Sequence, residues 1–578
     1  MHLSAIALFR ISIASLVLAA SVNATDAFAH DPATPQRGGE LFQPGLDQNT
    51  GSGNGAAAAR PPLYAGLGSL TMPVTTDNAM AQAFFDQGLV LTWAFNHSEA
   101  RRAFLEAQRL DPTCAMCFWG EAFVLGPNIN DGMHDEAIAP AAAAIRQATA
   151  LKAGASAKER ALIEALARRY DADAAADRAA LNTAWAEAMR GVAQAYPRDA
   201  NVLVLLADAL MNLQPWDYWE ADGITPKGHG GEIAMTLKRA LELDPDHPAA
   251  AHLFIHAVEA SAHPEDAEAV ADRLRGTVPA AGHLVHMPAH IYMRIGRHKD
   301  SVEVNRDAVA ADEAFLQQAG GAASSLYRFG YYPHNVHFLM VSAQMAGVAD
   351  DVISSAEKLA EVTSDEVSQE LAWVQAIKTA PYSAHAQFST PQTILALRDP
   401  GDRFPFVKGF WHYARGVALA ASGEAEPAWR EAEAIERLIT AADLSGLEAQ
   451  YLPARDVLSI AKHVVEARIE QSRRDYVAAE HHLMEAIALQ DGLPYMEPPF
   501  WSYPVRQTLG AVLLQQGRAA DAVAAFEQAL RKSPRNGWAL WGLQQAQEAA
   551  GDGNPAATRA VFAKAWHGDL GLLSLDRL

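Results

Sequence analysis

Four histidines are spaced in a way that would let them bind metal together. His252 and His256 are four residues apart, as are His286 and His290. Each member of the second pair follows its counterpart by 34 positions (252 to 286 and 256 to 290). Residues four apart share one face of an α-helix, and 34 residues is the length of a common two-helix repeat. The spacing therefore predicts that four imidazoles point the same way from neighbouring repeats.

Other histidines and acidic residues extend this set along the same predicted groove. Imidazole is the commonest neutral metal ligand in proteins, and histidine with carboxylate suits copper, zinc or iron better than calcium or magnesium. We therefore expect a transition metal ion here. The expected ligands are His252, His256, His286, His290 and His337, with His334, Asp208 and Glu259 as secondary candidates.

The same pattern also fits two interpretations without a metal, namely structural histidines and a metal-free binding groove. The chain has 21 histidines, so pairs also arise by chance or for structural reasons. Groove histidines can hydrogen-bond a peptide or a small anionic ligand, which would make the protein a docking scaffold for a partner. No phosphate loop, dinucleotide fingerprint or nucleophile–base pair of known spacing is present. The sequence thus leaves open whether the protein is a metalloenzyme or a scaffold.

Insertions between the predicted repeats supply candidate contacts for a small molecule or peptide bound in the concave groove. Insertions in helical arrays gather on one rim, often over the binding surface. One spans about 214–230 and contains Trp216, and another spans about 316–332 and contains Tyr331. The expected substrate contacts are Trp216, Tyr331, Arg294 and Asn128, although Asn128 also fits a turn that ends a helix.

The elements that must position these residues are paired helices. Two segments carry the small and large residues of tetratricopeptide (TPR) repeats at matching spacings. They are Gly88, Ala100, Phe104, Ala107 and Pro112 near one end, and Leu509, Gly510, Ala522, Phe526, Ala529 and Pro534 near the other. Small residues let two helices approach, and proline ends the second helix. We predict an all-α TPR superhelix of about ten helix pairs.

The chain divides into five predicted regions. Basic, apolar and small-residue segments follow one another at the N-terminus and indicate an export signal over 1–29. Cleavage is expected after Ala29, with Ala24 as the alternative position, and the signal implies a periplasmic or secreted protein. A flexible linker is expected over 30–76. The remaining regions are N-terminal repeats over 77–245, central histidine-rich repeats over 246–363, and C-terminal repeats over 364–578.

Net charge, apolar content and the two cysteines each limit what the protein can do. The net charge is −22, which disfavours nucleic acids and anionic membranes as partners. After the signal, no apolar stretch is long enough to span a bilayer. The two cysteines, Cys114 and Cys117, could form a local disulfide, stay free or bind metal.

Three longer motifs are more specific than the general TPR pattern. They are Cys114-Ala115-Met116-Cys117-Phe118-Trp119-Gly120, His286-Met287-Pro288-Ala289-His290-Ile291-Tyr292-Met293-Arg294 and Tyr332-Pro333-His334-Asn335-Val336-His337-Phe338. Together they resemble a family of exported bacterial TPR proteins whose activity is unassigned. The resemblance covers the chain from about residue 62 onward. It implies an α-solenoid and carries over no activity.

Overall fold

Helices form nearly all the regular structure in the computed structural model, which describes residues 60–578. In that range the extended pairing consists of two isolated bridges, Asn128 with Asp131 and Trp219 with Pro226. The predicted all-α, TPR-like class is confirmed, because the helices pair in chain order along the array. The predicted export signal and residues 30–59 of the linker lie outside the described residues.

The first half of the array runs to the end of the central repeats. Its α-helices are α1 (Ala79–Trp93), α2 (His97–Leu110), α3 (Ala115–Val124), α4 (Asp135–Leu151), α5 (Ala157–Leu166), α6 (Arg178–Ala195), α7 (Ala200–Met211), α8 (Gly230–Leu243), α9 (Pro248–Val258), α10 (Glu268–Leu274), α11 (Gly282–His286), α12 (Pro288–Arg294), α13 (His298–Ala319), α14 (Tyr332–Ala346) and α15 (Ala349–Val362). A π-helical turn, Tyr327–Tyr331, leads directly into α14.

The second half begins with four short helices, α16 to α19, over 365–395. Longer pairs follow. The helices are α16 (Asp365–Glu370), α17 (Ala372–Ile377), α18 (Ala380–Phe388), α19 (Pro391–Leu395), α20 (Pro405–Ala421), α21 (Ala425–Ala441), α22 (Ser445–Ala449), α23 (Ala454–Ser472), α24 (Tyr476–Gly492), α25 (Val505–Gln515), α26 (Ala519–Lys532), α27 (Gly537–Ala550) and α28 (Pro555–Ala565).

Phenylalanines set the spacing between successive helices at both ends of the array. A Cβ added to Gly120 would lie 2.4 Å from the ring of Phe104, and one added to Gly542 would lie 2.3 Å from the ring of Phe526. Each ring therefore fills the space that the glycine leaves on the next repeat, as the TPR spacing predicts. This close packing fixes the angle between repeats.

Residues 60–76, which the sequence assigns to the linker, lie against the first repeats. The Tyr64 hydroxyl donates to Glu99 at 2.9 Å, and the Ala280 N–H donates to the Gly66 carbonyl at 3.0 Å. Met72 is buried. These contacts hold the segment in place, because its polar groups bond both to α2 and to the loop before α11.

The C-terminal repeats return to the central repeats. The Trp538 indole N–H donates to the Gln344 carbonyl at 2.8 Å, and the His567 N–H donates to the Ala346 carbonyl at 2.8 Å. His298 Nε2 donates to the Pro534 carbonyl at 3.0 Å. The end of the array therefore packs on α13 and α14, so residues far apart in sequence can line one space.

Two further features bear on the sequence predictions. Cys114 and Cys117 form a disulfide at the start of α3. Within 60–578, none of the helices combines the length and apolar character that crossing a bilayer requires.

Candidate metal centre

Six histidines from α9, α11, α12 and α14 form two adjacent groups of three. In each group the three side chains offer ring nitrogens that all lie within 4.8 Å of one another. The first group is His252, His256 and His283, and the second is His286, His290 and His334. The two histidines of each 34-residue pair fall in different groups, and the ring centroids of one such pair, His256 and His290, lie 5.4 Å apart.

In the first group, the nitrogens face each other at metal-ligand spacing. His252 Nε2 lies 3.1 Å from His283 Nε2. Ligands roughly 2.0–2.1 Å from a tetrahedral zinc ion are about 3.3 Å apart. His256 Nε2 is buried and has no hydrogen-bond partner among the described residues. A buried ring nitrogen without a partner is costly, so the group has an unused lone pair.

In the second group, hydrogen bonds on the far side of two rings fix which nitrogen carries the proton. Asn305 donates its amide N–H to the Ser301 carbonyl at 2.8 Å, so its oxygen faces His286 Nδ1 at 2.7 Å. His290 Nδ1 lies 2.6 Å from a carboxylate oxygen of Glu259. Both oxygens accept, so both Nδ1 atoms carry hydrogen. When both rings are neutral, each Nε2 atom carries a lone pair, and the two Nε2 atoms face each other at 2.9 Å.

Glu259 connects the two groups. Its Oε1 accepts from His256 Nδ1 at 2.6 Å, and its Oε2 accepts from His290 Nδ1 at 2.6 Å and from the Tyr495 hydroxyl at 3.0 Å. Carboxylates placed behind metal-binding histidines orient the rings and make them better ligands. Glu259 is fully buried and holds one ring of each group in the orientation that metal binding needs.

The pKa values follow from burial and from these contacts. Burial and the neighbouring imidazoles hold the pKa of His252, His283, His286 and His334 well below the ordinary value. Burial alone would raise the pKa of Glu259, but the charge of His290 and the hydrogen bonds from His256 and His290 bring it below the ordinary value. At neutral pH His252, His283, His286 and His334 are therefore neutral, and Glu259 is an ionised carboxylate.

Two bulky aromatic residues with left-handed backbone pack on the first group. Phe95 has φ of 53° and Trp216 has φ of 64°. The Phe95 ring centroid lies 4.7 Å from that of His252, and the Trp216 centroid lies 4.9 Å from that of His256. Such conformations are uncommon for large residues and cluster at functional sites. Here they bring two aromatic rings into edge-type contact with His252 and His256.

A buried aspartate behind the site positions α11 and α14. Asp312 accepts from the Tyr327 hydroxyl at 2.6 Å and from the Asn335 amide at 2.7 Å. A Cβ on Gly282 would lie 1.9 Å from Asp312 Oδ1, so only glycine fits at the start of α11. Burial raises the pKa of Asp312 to about 7. The aspartate thus fixes the elements that carry His283 and His334.

Both groups open on a cavity of about 530 Å³. The histidine end includes His256, His283, His290 and His334. The remaining wall includes the aromatic side chains of Trp216, Tyr331, Trp373, Phe410, Tyr413 and Trp501, together with aliphatic and charged side chains such as Ile377, Asp456 and Arg468. Every residue of the loop 494–503, from the C-terminal repeats, lines the cavity. A cavity of this size and character suits a small molecule.

The other predicted residues are placed differently. His337 lines the cavity outside both groups, and burial lowers its pKa to about 4. Asp208 accepts from the Asn212 amide at 3.1 Å, and burial raises its pKa to about 6. The Asn128 side chain accepts from the Asn130 N–H at 2.7 Å, which completes the turn, and it is Asn130 that lines the cavity. None of the three belongs to either group.

Of the predicted substrate contacts, Trp216 and Tyr331 line the cavity and Arg294 does not. The Arg294 guanidinium donates to the backbone carbonyls of Glu259 and Ser261 at 2.9 and 3.1 Å. It lies over the Tyr495 ring, 5.5 Å from the centroid. Arg294 therefore supports the segment that carries Glu259.

His283 was not predicted as a ligand. It lies three residues before His286 on α11, so the two share a helix face. The 34-residue comparison misses it because Ala249 stands at the corresponding position of the preceding repeat. A search for histidines three as well as four residues apart would have found it.

The fold and site together define a TPR-type helical array with a histidine-lined cavity. No family model matches the chain, and no curated protein is similar to it. Among solved structures, the human IFIT1 dimer with m7Gppp-AAAA is 12% identical over 85% of this chain and 90% of that chain, with a TM-score of 0.30. Yeast Tom70 is 13% identical over 84% and 92%, with a TM-score of 0.25. The Cut9–Hcn1 hetero-tetramer of the APC/C is 10% identical over 71% and 97%, with a TM-score of 0.23. Scores this low assign no function.

Proposed function

We propose that this chain is an exported metalloprotein whose two histidine groups each bind one transition metal ion beside a small-molecule cavity. Copper, zinc and iron all suit imidazole ligands, and affinity order favours copper. The proposed ligands are His252, His256 and His283 for one ion and His286, His290 and His334 for the other. Ions bound there would supply Lewis-acid or redox chemistry.

The observation that carries the proposal is the pair of facing lone pairs on His286 and His290. Two neutral rings with their Nε2 atoms at 2.9 Å repel each other unless a cation lies between them. A metal ion satisfies both lone pairs and can take His334 as its third ligand.

The cavity supports a small, largely apolar substrate in preference to an extended peptide. Residues of the N-terminal, central and C-terminal repeats all line it, among them Asn130, Tyr331 and Trp501. A peptide groove would run open along one face of the array. In the proposed function the aromatic wall binds and orients the substrate, and Glu259 holds the histidines.

The export part of the proposal rests on the signal-like sequence over 1–29. The Cys114–Cys117 disulfide supports it, because disulfides persist in oxidising compartments. We therefore propose a periplasmic or secreted location.

Metal content tests the proposal. Full-length protein purified from the secreted or periplasmic fraction, then loaded with Cu²⁺ or Zn²⁺ and desalted, should hold ions in the two central groups by elemental analysis. His286→Ala/His290→Ala should lose one of these ions. Glu259→Gln keeps the side-chain volume but removes the carboxylate that orients the His256 and His290 rings. It should therefore weaken metal binding about 10–100-fold. Circular dichroism should show unchanged helix content.

The matched control is His263→Ala, since the His263 side chain is 61% exposed and lies outside both groups. It should keep the wild-type metal content. Equal metal content in the wild type, His286→Ala/His290→Ala and His263→Ala would contradict the proposal and leave a TPR docking scaffold as the function.

A further inference from the structure

A third set of metal-binding side chains lies between α23 and α24, away from the cavity. His463 and Glu466 are three residues apart on α23, and His482 is on α24. His463 Nδ1 lies 2.9 Å and His482 Nδ1 lies 3.0 Å from the same oxygen, Glu466 Oε2. None of the three lines the cavity.

The local fold explains why these residues meet. Residues three apart share a helix face, so His463 and Glu466 both face α24. The turn between the two helices is only three residues long, Arg473 to Asp475, which keeps the helices side by side. Ligand atoms from all three side chains lie within 4.8 Å of one another. Two histidines with one carboxylate form a set that leaves positions open on a bound transition metal ion.

The charge of the set favours a cation. Burial raises the pKa of Glu466, but the contacts with His463 and His482 outweigh burial and bring the pKa down to about 2. His463 Nδ1 donates a hydrogen bond to the carboxylate, whereas His482 Nδ1 has no hydrogen-bond partner among the described residues. The carboxylate is therefore ionised at neutral pH. Lys462, the neighbouring ammonium group, is engaged by Glu436 at 2.8 Å, so it has a partner of its own.

Solvent access distinguishes this set from the central groups. The side chains of His463, Glu466 and His482 are 20%, 14% and 21% exposed, whereas those of His256 and His290 are 2% and 4% exposed. We propose that His463, Glu466 and His482 form a surface site for a divalent transition metal ion such as Zn²⁺ or Cu²⁺. An ion there reaches solvent directly and exchanges faster than ions in the central groups.

Zn²⁺ titration of the full-length protein tests this site. His463→Ala/His482→Ala should bind one equivalent fewer than the wild type in isothermal titration calorimetry. Glu466→Gln keeps both imidazoles and the packing, and it should weaken the same equivalent. The matched control is His481→Ala, an exposed histidine next to His482, which should bind as many equivalents as the wild type.

The position of the ion can be checked by fluorescence. The Trp429 ring centroid lies 6.4 Å from that of His482, so Cu²⁺ bound here should quench Trp429. The quenching of Trp429 is the fluorescence that Cu²⁺ removes from the wild type minus the fluorescence that it removes from Trp429→Phe. His286→Ala/His290→Ala should retain this quenching, which separates the surface site from the central groups. The proposal is overturned if His463→Ala/His482→Ala binds the same number of Zn²⁺ equivalents with the same affinity as His481→Ala.

Discussion

Glu259 decides the protonation pattern of two rings at once. One carboxylate accepts from His256 and from His290, each at 2.6 Å, so each ring carries its hydrogen on Nδ1 and offers Nε2 to its own group. The sequence predicts Glu259 near the groove from its position one turn past His256. It does not predict the shared contact, which depends on how the helix of His290 crosses that of His256.

Buried neutral histidines should make the metal-free protein sensitive to mild acid. Burial lowers the pKa of His298 and of His337 to about 4 each. The unfolded chain binds these protons from about pH 6.5 downward, whereas the folded chain does not until about pH 4. Stability is therefore lost as the pH falls through this window, by up to ~1.4 kcal/mol per pH unit for each such histidine.

Urea unfolding in chelator-treated buffer at pH 7.5 and pH 5.0 measures this loss. His298→Gln keeps a donor for the Pro534 carbonyl but removes one titrating group. The urea midpoint of His298→Gln should fall less from pH 7.5 to pH 5.0 than the urea midpoint of the wild type. Identical shifts in the two proteins would contradict the assignment.

At the scale of helices, periodicity predicts which residues share a face but not where a helix is interrupted. His286 and His290 fit one predicted helix, yet the structure divides them between α11 and α12 at Pro288. Proline has no N–H to continue the helical bonding. The backbone at Met287 stays helical, so the two rings remain together, with centroids 4.7 Å apart. The predicted contact between His286 and His290 is therefore present, although Pro288 interrupts the helix between them.

Packing between repeats depends on the absence of a side chain at particular glycines. Gly542→Ala would place a Cβ 2.3 Å from the Phe526 ring and should lower the free energy of unfolding by about 1–3 kcal/mol. Gly191→Ala is the matched control, because Gly191 lies inside α6 with open space around its Cβ position. It should raise stability by ~0.5–1 kcal/mol. Thermal unfolding compares the two variants, and a loss of equal size in both would refute the packing role.

At the scale of the whole molecule, the return of the C-terminal repeats onto α14 completes the cavity wall. The sequence predicts the number and class of repeats, since those depend on local spacing. It does not predict the return, because the small rotation between successive repeats accumulates over the array. The contacts of Trp538 and Trp566 with the central repeats join distant parts of the chain, so local spacing does not predict them.

These two tryptophans should couple the unfolding of the two halves. Burying a tryptophan contributes about 3–5 kcal/mol, so Trp538→Ala/Trp566→Ala should divide the urea transition into two steps, with the C-terminal repeats unfolding first. Circular dichroism and tryptophan fluorescence together would resolve the steps. Trp411→Ala is the control, because the Trp411 indole bonds within its own region, to the Leu397 carbonyl at 3.2 Å. A single transition in the double variant would rule out this coupling.

The disulfide between Cys114 and Cys117 uses both cysteines of the chain. The oxidised protein therefore presents no thiol to mercurials, maleimides or cuprous ions, and soft metals find only ring nitrogen and thioether sulfur. Any discrimination among metals must then come from the number and arrangement of nitrogens. Alkylating reagents used to trap proteins in cell extracts should leave the folded chain unlabelled until a reductant is added.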